Sequence, residues 1–398
     1  MLAKLKTVAS WIHAVLLSLG ILLAYVLLVE FVPDLWIEWR RSGYNPNMKD
    51  FRTEAEAYRD VPFTNEMFYE LKWAESHLAW HPYTYWRTTA YHGKWVNVGD
   101  DGLRATTPAP AGDKPVVRLF VFGGSAVWGY GVEDAATLPS LFSERLNRDS
   151  ACRVEVVNFG QLGYVSGQEL ASFTDQLRLG NIPDVALFHH GWNDIAAAHV
   201  SQKAGVPMNE VNRRREFNVL HRDNTFAWLA KGLPNVFHRT LKKIYRIIDY
   251  DPPVTIALTD DPRRQLGADS MAILGANQRT IAALGREWGV RTLAGVQPSL
   301  GTKHVHSPFE AKLAKLESDV GLLVDEANTH LKQSLPEGTV LDVMNALDDD
   351  PRPLYFDSVH LAEDGNRAVA DAWMKHLAPV VAKACADKQR GTSDARPR

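Results

Sequence analysis

Apolar runs and amphipathic segments alternate along the chain from residue 116 onward. Residues 116–122 form an apolar run broken only by Arg118, which predicts a buried β-strand, and further strand-like segments occupy residues 154–159, 184–189, 290–296 and 340–343. Segments with apolar positions at helical spacing occupy residues 137–147, 167–179, 267–289 and 364–384. Strands that alternate with helices predict an α/β fold. We expect a three-layer α/β/α sandwich around a mainly parallel sheet of about five strands, with functional loops at the carboxyl ends of the strands.

The longest apolar run lies at the N-terminus. Residues 8–29 read VASWIHAVLLSLGILLAYVLLV and contain no Asp, Glu, Lys or Arg. At about 1.5 Å per residue, this run reaches the ~30 Å hydrocarbon thickness of a bilayer. A cleaved signal peptide and a buried core helix are the alternatives, but the run is long for the first and apolar on every side. We therefore predict an uncleaved signal anchor, a transmembrane helix over residues 1–33, with the rest of the chain outside the cytoplasm.

The remaining sequence divides into three further parts. Residues 34–115 are aromatic and irregular and predict an accessory region, with two short strands around His92 and Gly93. Residues 116–386 form the predicted α/β domain, interrupted at about 200–262 by a basic helical insertion. This insertion is either a solvated helical cap or a lid that rests on anionic lipid headgroups or an acidic polymer. Residues 387–398 are polar and predict a disordered tail.

Composition and charge argue against several classes of protein, among them nucleic-acid-binding proteins and disulfide scaffolds. The chain has 398 residues, of which 45% are hydrophobic and 23% charged, and this balance is typical of a globular protein. A net charge of −3 gives no basic field for nucleic acid, so we expect no nucleic-acid partner. Cys152 and Cys385 are too few for a disulfide scaffold or a multi-cysteine zinc site. We predict free buried thiols, although a single bridge in an oxidising compartment stays open.

The first predicted strand runs into a glycine-rich turn, in the stretch RLFVFGGSAVWGYG at residues 118–131. A phosphate loop of the Walker type requires Lys followed by Ser or Thr, and none is present. The glycine spacing does not fit a dinucleotide fingerprint, and Val127 occupies the last glycine position of a G-x-S-x-G nucleophile elbow. Two readings remain for Ser125: a nucleophile at the tip of a strand or an ordinary turn serine.

Three other strand ends carry polar or glycine-rich blocks. They read NFGQLGYVSGQ with Gly163, HHGWNDIAAA with Asn193, and YFDSVHLAEDGN with Asp357 and His360. Together with Ser125, and in this order, the blocks resemble the SGNH (GDSL-like) hydrolase family in its membrane-anchored bacterial form. The resemblance spans residues 104 to about 382, and NVGDDGLR and VQPSLGTK look like accessory segments of those members. The first block reads Gly-Gly-Ser instead of Gly-Asp-Ser, which makes it less diagnostic.

The resemblance implies a flavodoxin-like sheet and a site that needs neither cofactor nor metal. Ser125 would be the nucleophile, His360 its base, and Asp357, three residues earlier, the group that orients and stabilises the imidazolium. The backbone amides of Ser125 and Gly163 and the side-chain amide of Asn193 would form the oxyanion hole. Taken singly, these residues also fit a turn serine, a bend and helix caps.

The chemistry implied is that of a serine esterase on O-acyl esters, with O-acetyl esters of envelope carbohydrate or lipid as the expected substrates. An O-acyltransferase to a polysaccharide and an inactive scaffold of an envelope polysaccharide assembly are the alternatives. We expect a single-pass protein of the bacterial inner membrane whose catalytic domain is periplasmic.

Other polar residues are expected to be structural. His189 and His190 end a strand without a set of metal partners and are predicted to be satisfied structural histidines. The acidic run LDDDP at residues 347–351 predicts a solvated loop in preference to a calcium site. Glu310, His304 and His306 are predicted to line a surface loop.

Overall fold

The computed structural model describes residues 2–33, 35, 50–148, 150–221, 260–316 and 341–391. The chain divides into two compact units, one of residues 1–45 and 211–257 and the other of residues 46–210 and 258–398. Most of the predicted insertion at 200–262 lies outside the described residues.

The first unit contains the N-terminal apolar helix. Helix α1 (Leu2–Tyr25) continues as a π-helical segment (Val26–Phe31). Within Lys6–Phe31, an 18-residue window has a mean hydropathy of 2.6 and contains no buried residue. It is long and apolar enough to cross a membrane, and a signal sequence has the same properties.

The second unit begins with the accessory region. It contains helix α2 (Thr64–Ser76) and two antiparallel hairpins, β1 (Leu78–His81) with β2 (Tyr85–Thr88) and β3 (Tyr91–His92) with β4 (Asn97–Val98). Strands β3 and β4 flank Gly93 as predicted. The region has its own apolar core, in which Tyr58, Phe68 and Leu71 pack with Phe356 of the α/β part.

The main sheet is parallel throughout. Its strands are β5 (Val116–Gly123), β6 (Arg153–Asn158), β7 (Val185–His190) and β8 (Arg291–Val296). They lie in the order β6-β5-β7-β8. The predicted fifth strand is reduced, within the described residues, to one bridge between Leu341 and Gly295, because the chain turns at Val343 into a 3-10 helix.

Helices follow each strand and close the chain. In chain order they are α3 (Ser125–Trp128), α4 (Leu138–Asn147), α5 (Ser166–Arg178), α6 (Trp192–Ser201), α7 (Glu210–His221), α8 (Asp260–Glu287), α9 (Pro308–Leu316) and α10 (Glu363–Gln389). The four helices predicted from periodicity are confirmed as α4, α5, α8 and α10. Helix α10 extends past residue 387, where a polar tail was expected, and residues 392–398 lie outside the described residues.

Side chains of β5 alternate between the two faces of the sheet. Val117, Leu119 and Val121 pack in one core with α4 and α10, whereas Phe120 and Phe122 pack in another with α5 and α8. A strand buried on both faces needs apolar residues at every position, which explains the continuous run in the sequence. The predicted three-layer α/β/α architecture is therefore confirmed.

The expectation of two free cysteines is wrong. Cys152 and Cys385 form a disulfide with a Cα–Cα distance of 5.8 Å, and it joins the start of β6 to the last turns of α10. The two residues are 233 positions apart, and the packing of α10 beside the sheet brings them together.

Candidate active site

Ser125 stands at the carboxyl end of β5, as the first residue of the short helix α3. Two glycines precede it because other chain segments pass close to this turn. A Cβ at Gly123 would lie 2.4 Å from the carbonyl oxygen of His189, and a Cβ at Gly124 would lie 2.2 Å from Asn193 Nδ2. A larger residue at Gly123 would therefore push against the end of β7, and one at Gly124 would displace the side-chain amide of Asn193.

A chain of hydrogen bonds joins Ser125, His360 and Asp357. Ser125 Oγ lies 2.7 Å from His360 Nε2, and His360 Nδ1 lies 2.7 Å from Asp357 Oδ2. The other carboxylate oxygen of Asp357 accepts the backbone amides of Val359 and His360, at 3.0 Å and 2.7 Å. The structure thus brings the three residues into the order hydroxyl, imidazole, carboxylate.

The electrostatics of this chain favour one tautomer of His360. Burial raises the pKa of Asp357, but the imidazole of His360 and the two backbone amides lower it more, so the net shift is downward. A charged Asp357 accepts a hydrogen bond from Nδ1–H, which leaves Nε2 as the acceptor for the Ser125 hydroxyl. The ring of His360 lies between Phe356, at 5.8 Å between centroids, and Tyr130, at 4.9 Å.

The other predicted site residues lie beside Ser125. Gly163 follows β6 and has a φ of +73°, a conformation that favours glycine. Asn193, at the start of α6, donates from Nδ2 to the carbonyl oxygen of Tyr164 at 2.8 Å. The same carbonyl oxygen is close to Gly124, since a Cβ built there would lie 3.3 Å from it. The ends of β5, β6 and β7 therefore meet at Ser125. Within the described residues, neither the amide of Ser125 nor that of Gly163 donates a hydrogen bond.

Asp194, the neighbour of Asn193, ties the Gly163 loop to α6. Its buried carboxylate accepts the hydroxyl of Ser166 at 2.5 Å and the amide of Ser166 at 3.1–3.2 Å. Burial raises the pKa of Asp194 in spite of these hydrogen bonds. Sequence reasoning gave this residue no role beyond its place next to Asn193.

The accessory region also contacts the Gly163 loop, which sequence reasoning did not foresee. Trp86 donates from Nε1 to the carbonyl oxygen of Leu162 at 2.8 Å, and its ring would lie 3.7 Å from a Cβ at Gly163. Gln161 accepts from the amide of Thr88 at 2.9 Å and donates to the carbonyl oxygen of Gly102 at 2.8 Å. In the sequence, the aromatic stretch at residues 83–98 was the feature that could have indicated this contact.

Arg104 is a second residue that sequence reasoning missed. Its side chain is fully buried and its guanidinium lies 4.5 Å above the ring of Trp128. It donates to Asp134 Oδ1 at 2.9 Å and to the carbonyl oxygens of Gly129 and Val132, the latter at 2.7 Å. The arginine therefore fixes the loop that follows α3 and its serine.

The two histidines at the end of β7 have structural partners, as predicted. His190 Nδ1 lies 2.6 Å from Glu169 Oε2, and its Nε2 lies 2.9 Å from Gln278 Nε2. His189 Nδ1 accepts from Trp373 Nε1 at 3.2 Å. Among the described residues, no group of three His, Cys, Asp or Glu side chains is placed to hold a metal ion.

The prediction that Glu310 lines a surface loop is wrong. Its side chain is completely buried against Lys303, because the charge of the lysine and three backbone amides compensate for the loss of water. His304 is exposed, as expected of a loop residue, and His306 is half-buried.

Comparisons with known proteins give weak similarities. No family model matches the chain, and no curated protein matches it. Among solved structures, the lipase Lip_vut3 from a goat rumen metagenome is 13% identical, with a TM-score of 0.39 over 65% of this chain and 96% of that one. A lipolytic G-D-S-L family protein from Veillonella parvula is 15% identical, with a TM-score of 0.35 over 66% and 98%. An acetylxylan esterase from Geobacillus stearothermophilus is 11% identical, with a TM-score of 0.33 over 66% and 94%. At these values, the likeness assigns this chain no activity.

Proposed function

We propose that this protein is a membrane-anchored serine esterase of the SGNH type that acts on O-acyl groups of an envelope carbohydrate or lipid. The hydrogen-bonded chain from Ser125 Oγ through His360 to Asp357 carries this proposal. A serine hydroxyl is a weak nucleophile unless a base takes its proton, and this arrangement supplies the base and its orienting carboxylate.

Acylation would proceed through a tetrahedral intermediate. Ser125 Oγ forms a bond to the acyl carbon while its proton passes to His360 Nε2. The negative charge moves to the former carbonyl oxygen, where the amides of Ser125 and Gly163 and the side chain of Asn193 donate hydrogen bonds. The ester C–O bond then breaks, and the departing alcohol takes the proton from His360. One lost donor of this kind typically raises the barrier by about 3–4 kcal/mol.

Release of the acyl group repeats these steps with a new nucleophile. Water, or a sugar hydroxyl in the case of transfer, gives its proton to His360 Nε2 and attacks the acyl carbon. The bond to Ser125 Oγ breaks, and the serine regains the proton. Hydrolysis and transfer therefore need the same residues and differ only in the acceptor.

Two features support a site outside the cytoplasm. The apolar helix at the N-terminus is long enough to serve as an anchor, and Lys4 and Lys6 precede its uncharged run at residues 8–29, as expected of a cytoplasmic end. The Cys152–Cys385 disulfide is of a kind that persists in oxidising compartments such as the bacterial periplasm.

The hairpin of β1 and β2 supports a carbohydrate substrate. Its buried Thr84 is anchored by Gln168, which donates to the carbonyl oxygen of Thr84 at 2.6 Å. The hairpin leaves the rings of Trp80 and Tyr83 69% and 74% exposed, and Trp80 is the strand partner of Trp86 beside Gly163. A large aromatic face with a polar atom at its edge is suited to stack on a sugar ring.

A variant series tests the proposed chemistry. The wild-type protein should hydrolyse p-nitrophenyl acetate and react with a fluorophosphonate probe at Ser125. Ser125→Ala and His360→Ala should both reduce turnover to background, and the double variant should be no worse than Ser125→Ala, because both residues act on one proton transfer. Asn193→Ala should lower kcat by about 10²- to 10³-fold with little change in KM.

Two results would contradict the proposed roles of Ser125 and Asn193. Wild-type turnover by a folded Ser125→Ala variant would leave Ser125 as a turn residue. An Asn193→Ala variant that loses stability and keeps kcat would leave Asn193 as a helix-end residue.

A further inference from the structure

Lys303 and Glu310 form an ion pair whose two side chains are completely buried. Lys303 Nζ lies 2.8 Å from Oε1 and 2.7 Å from Oε2 of Glu310. Lys303 belongs to the loop after β8, and Glu310 lies in the first turn of α9. Removing two charges from water costs several kcal/mol per ion, so such a pair is stable only where further hydrogen bonds satisfy both groups.

Three of the four further hydrogen bonds involve one segment of the chain, residues 352–355. Lys303 Nζ donates to the carbonyl oxygen of Arg352 at 2.5 Å. Glu310 Oε1 accepts the amides of Leu354 and Tyr355 at 2.9 Å and 3.1 Å, and Oε2 accepts the amide of Ser307 at 2.9 Å. Burial raises the pKa of Glu310, but Lys303 and the three amides lower it more, so the carboxylate stays charged.

This segment is the base of the turn that carries Asp357 and His360. Tyr355 forms a bridge with Leu361, and the amide of Ala362 donates to the carbonyl oxygen of Leu354 at 2.9 Å. Only Phe356 separates the amide held by Glu310 from Asp357.

The loop of Lys303 also holds the tip of the same turn. The amide of Leu300 donates to the carbonyl oxygen of Ser358 at 2.8 Å. The loop after β8 therefore holds the turn at both its base and its tip.

We propose that the Lys303–Glu310 pair is a positioning device that sets the Asp357–His360 turn at hydrogen-bonding distance from Ser125. The inference rests on the proposed esterase function. An apolar pair could fill the same volume without leaving an orphan charge, but it could not bind the backbone groups of residues 352–355. A displacement of about 1 Å at a reacting group can cost on the order of 10²-fold in rate.

The test is the double variant Lys303→Met/Glu310→Leu, which removes both charges together and leaves no orphan charge. We expect a folded protein whose kcat for p-nitrophenyl acetate falls by about 10- to 100-fold with KM unchanged. Fluorophosphonate labelling of Ser125 should slow by the same factor. The matched control is Lys388→Met/Asp184→Asn, which breaks a 3.1 Å ion pair beside the start of β7, and it should keep the wild-type kcat.

A second variant covers the case in which the double variant does not fold. Lys303→Met/Glu310→Gln also leaves no unpaired charge but keeps an acceptor for the amides of Leu354 and Tyr355, and it should give a smaller loss of kcat at unchanged KM. A wild-type kcat in a folded variant of either kind overturns the proposal, and so does failure of both to fold, since the pair then serves stability. A wild-type protein that neither turns over esters nor labels at Ser125 contradicts the esterase function itself, which separates the two failures.

Discussion

At the scale of single residues, His189 shows how burial links a side chain to the stability of the whole fold. Its side chain is buried and its Nδ1 accepts the indole N–H of Trp373 at 3.2 Å. Burial and, to a lesser extent, the neighbouring His190 lower the pKa of His189 from 6.5 to about 3. Between these two values, the unfolded chain binds a proton at this residue and the folded chain does not. Stability therefore falls as the pH is lowered through this window.

His189→Gln should remove this contribution. The wild-type free energy of unfolding, measured by urea titration from pH 7 to pH 4, should decrease toward low pH with up to about 1.4 kcal/mol per pH unit arising from this residue. The variant should show a correspondingly shallower slope. His92→Gln, at an exposed position of the hairpin, controls for the substitution itself. Equal slopes for the wild type and His189→Gln would contradict a neutral His189.

The sequence predicted Ser125, Gly163, Asn193, Asp357 and His360 as one set because their blocks, in this order, resemble those of the SGNH hydrolase family. Their assigned roles remain predictions. The positions of buried charged residues could not be predicted in the same way. Whether a carboxylate such as Glu310 is buried or exposed depends on partners that only the folded chain brings to it, here backbone amides more than 40 residues away.

At the scale of secondary structure, the spacing of apolar residues predicted the strands and helices of the α/β part, but it predicted few of those in the accessory region. Strand β7 and most of β5 are buried at successive positions, so their apolar runs are easy to recognise, whereas the edge strand β6 is buried at alternate positions. Strand β1 is mostly exposed and shows no alternation. After β1, Tyr83 and Tyr85 have φ values of +64° and +71°, where glycine or asparagine is usual. Because tyrosine is not typical of such a turn, the residue types did not predict a turn here.

The exposed Trp80 of the β1–β2 hairpin leads to a prediction about the substrate. Trp80→Ala should raise KM for a soluble O-acetylated polysaccharide such as acetylated xylan by about tenfold, the equivalent of 1–1.5 kcal/mol for one aromatic contact. It should leave kcat and the hydrolysis of p-nitrophenyl acetate unchanged, since Trp80 does not contact the candidate reacting groups.

Phe51→Ala is the matched control, because Phe51 is 68% exposed and lies outside the hairpin. An unchanged KM for the polysaccharide in Trp80→Ala, together with weaker binding to anionic lipid vesicles, would instead assign this surface to the membrane.

At the scale of the whole molecule, the disulfide joins distant parts of the chain. It connects the first residues of an edge strand to the last helix, and most of the α/β part lies between its two ends. The pairing could not be predicted from the sequence, because two cysteines this far apart become neighbours only when α10 packs against the sheet. Both are nearly completely buried, so a reductant reaches them only when the chain opens.

Removing this bridge should lower stability and leave the candidate active site in place. A crosslink between residues 233 positions apart destabilises the unfolded chain by on the order of 5.5 kcal/mol in the chain-entropy model. Cys152→Ala/Cys385→Ala should therefore unfold at a clearly lower temperature than the oxidised wild type, with an unchanged kcat at 25 °C. The reductant dithiothreitol should lower the unfolding temperature of the wild type toward that of the variant and should not affect the variant.

Protein exported across a membrane should show no free thiol to maleimide after denaturation. Two reactive thiols in the exported protein would contradict the bridge and remove one of the two supports for a site outside the cytoplasm.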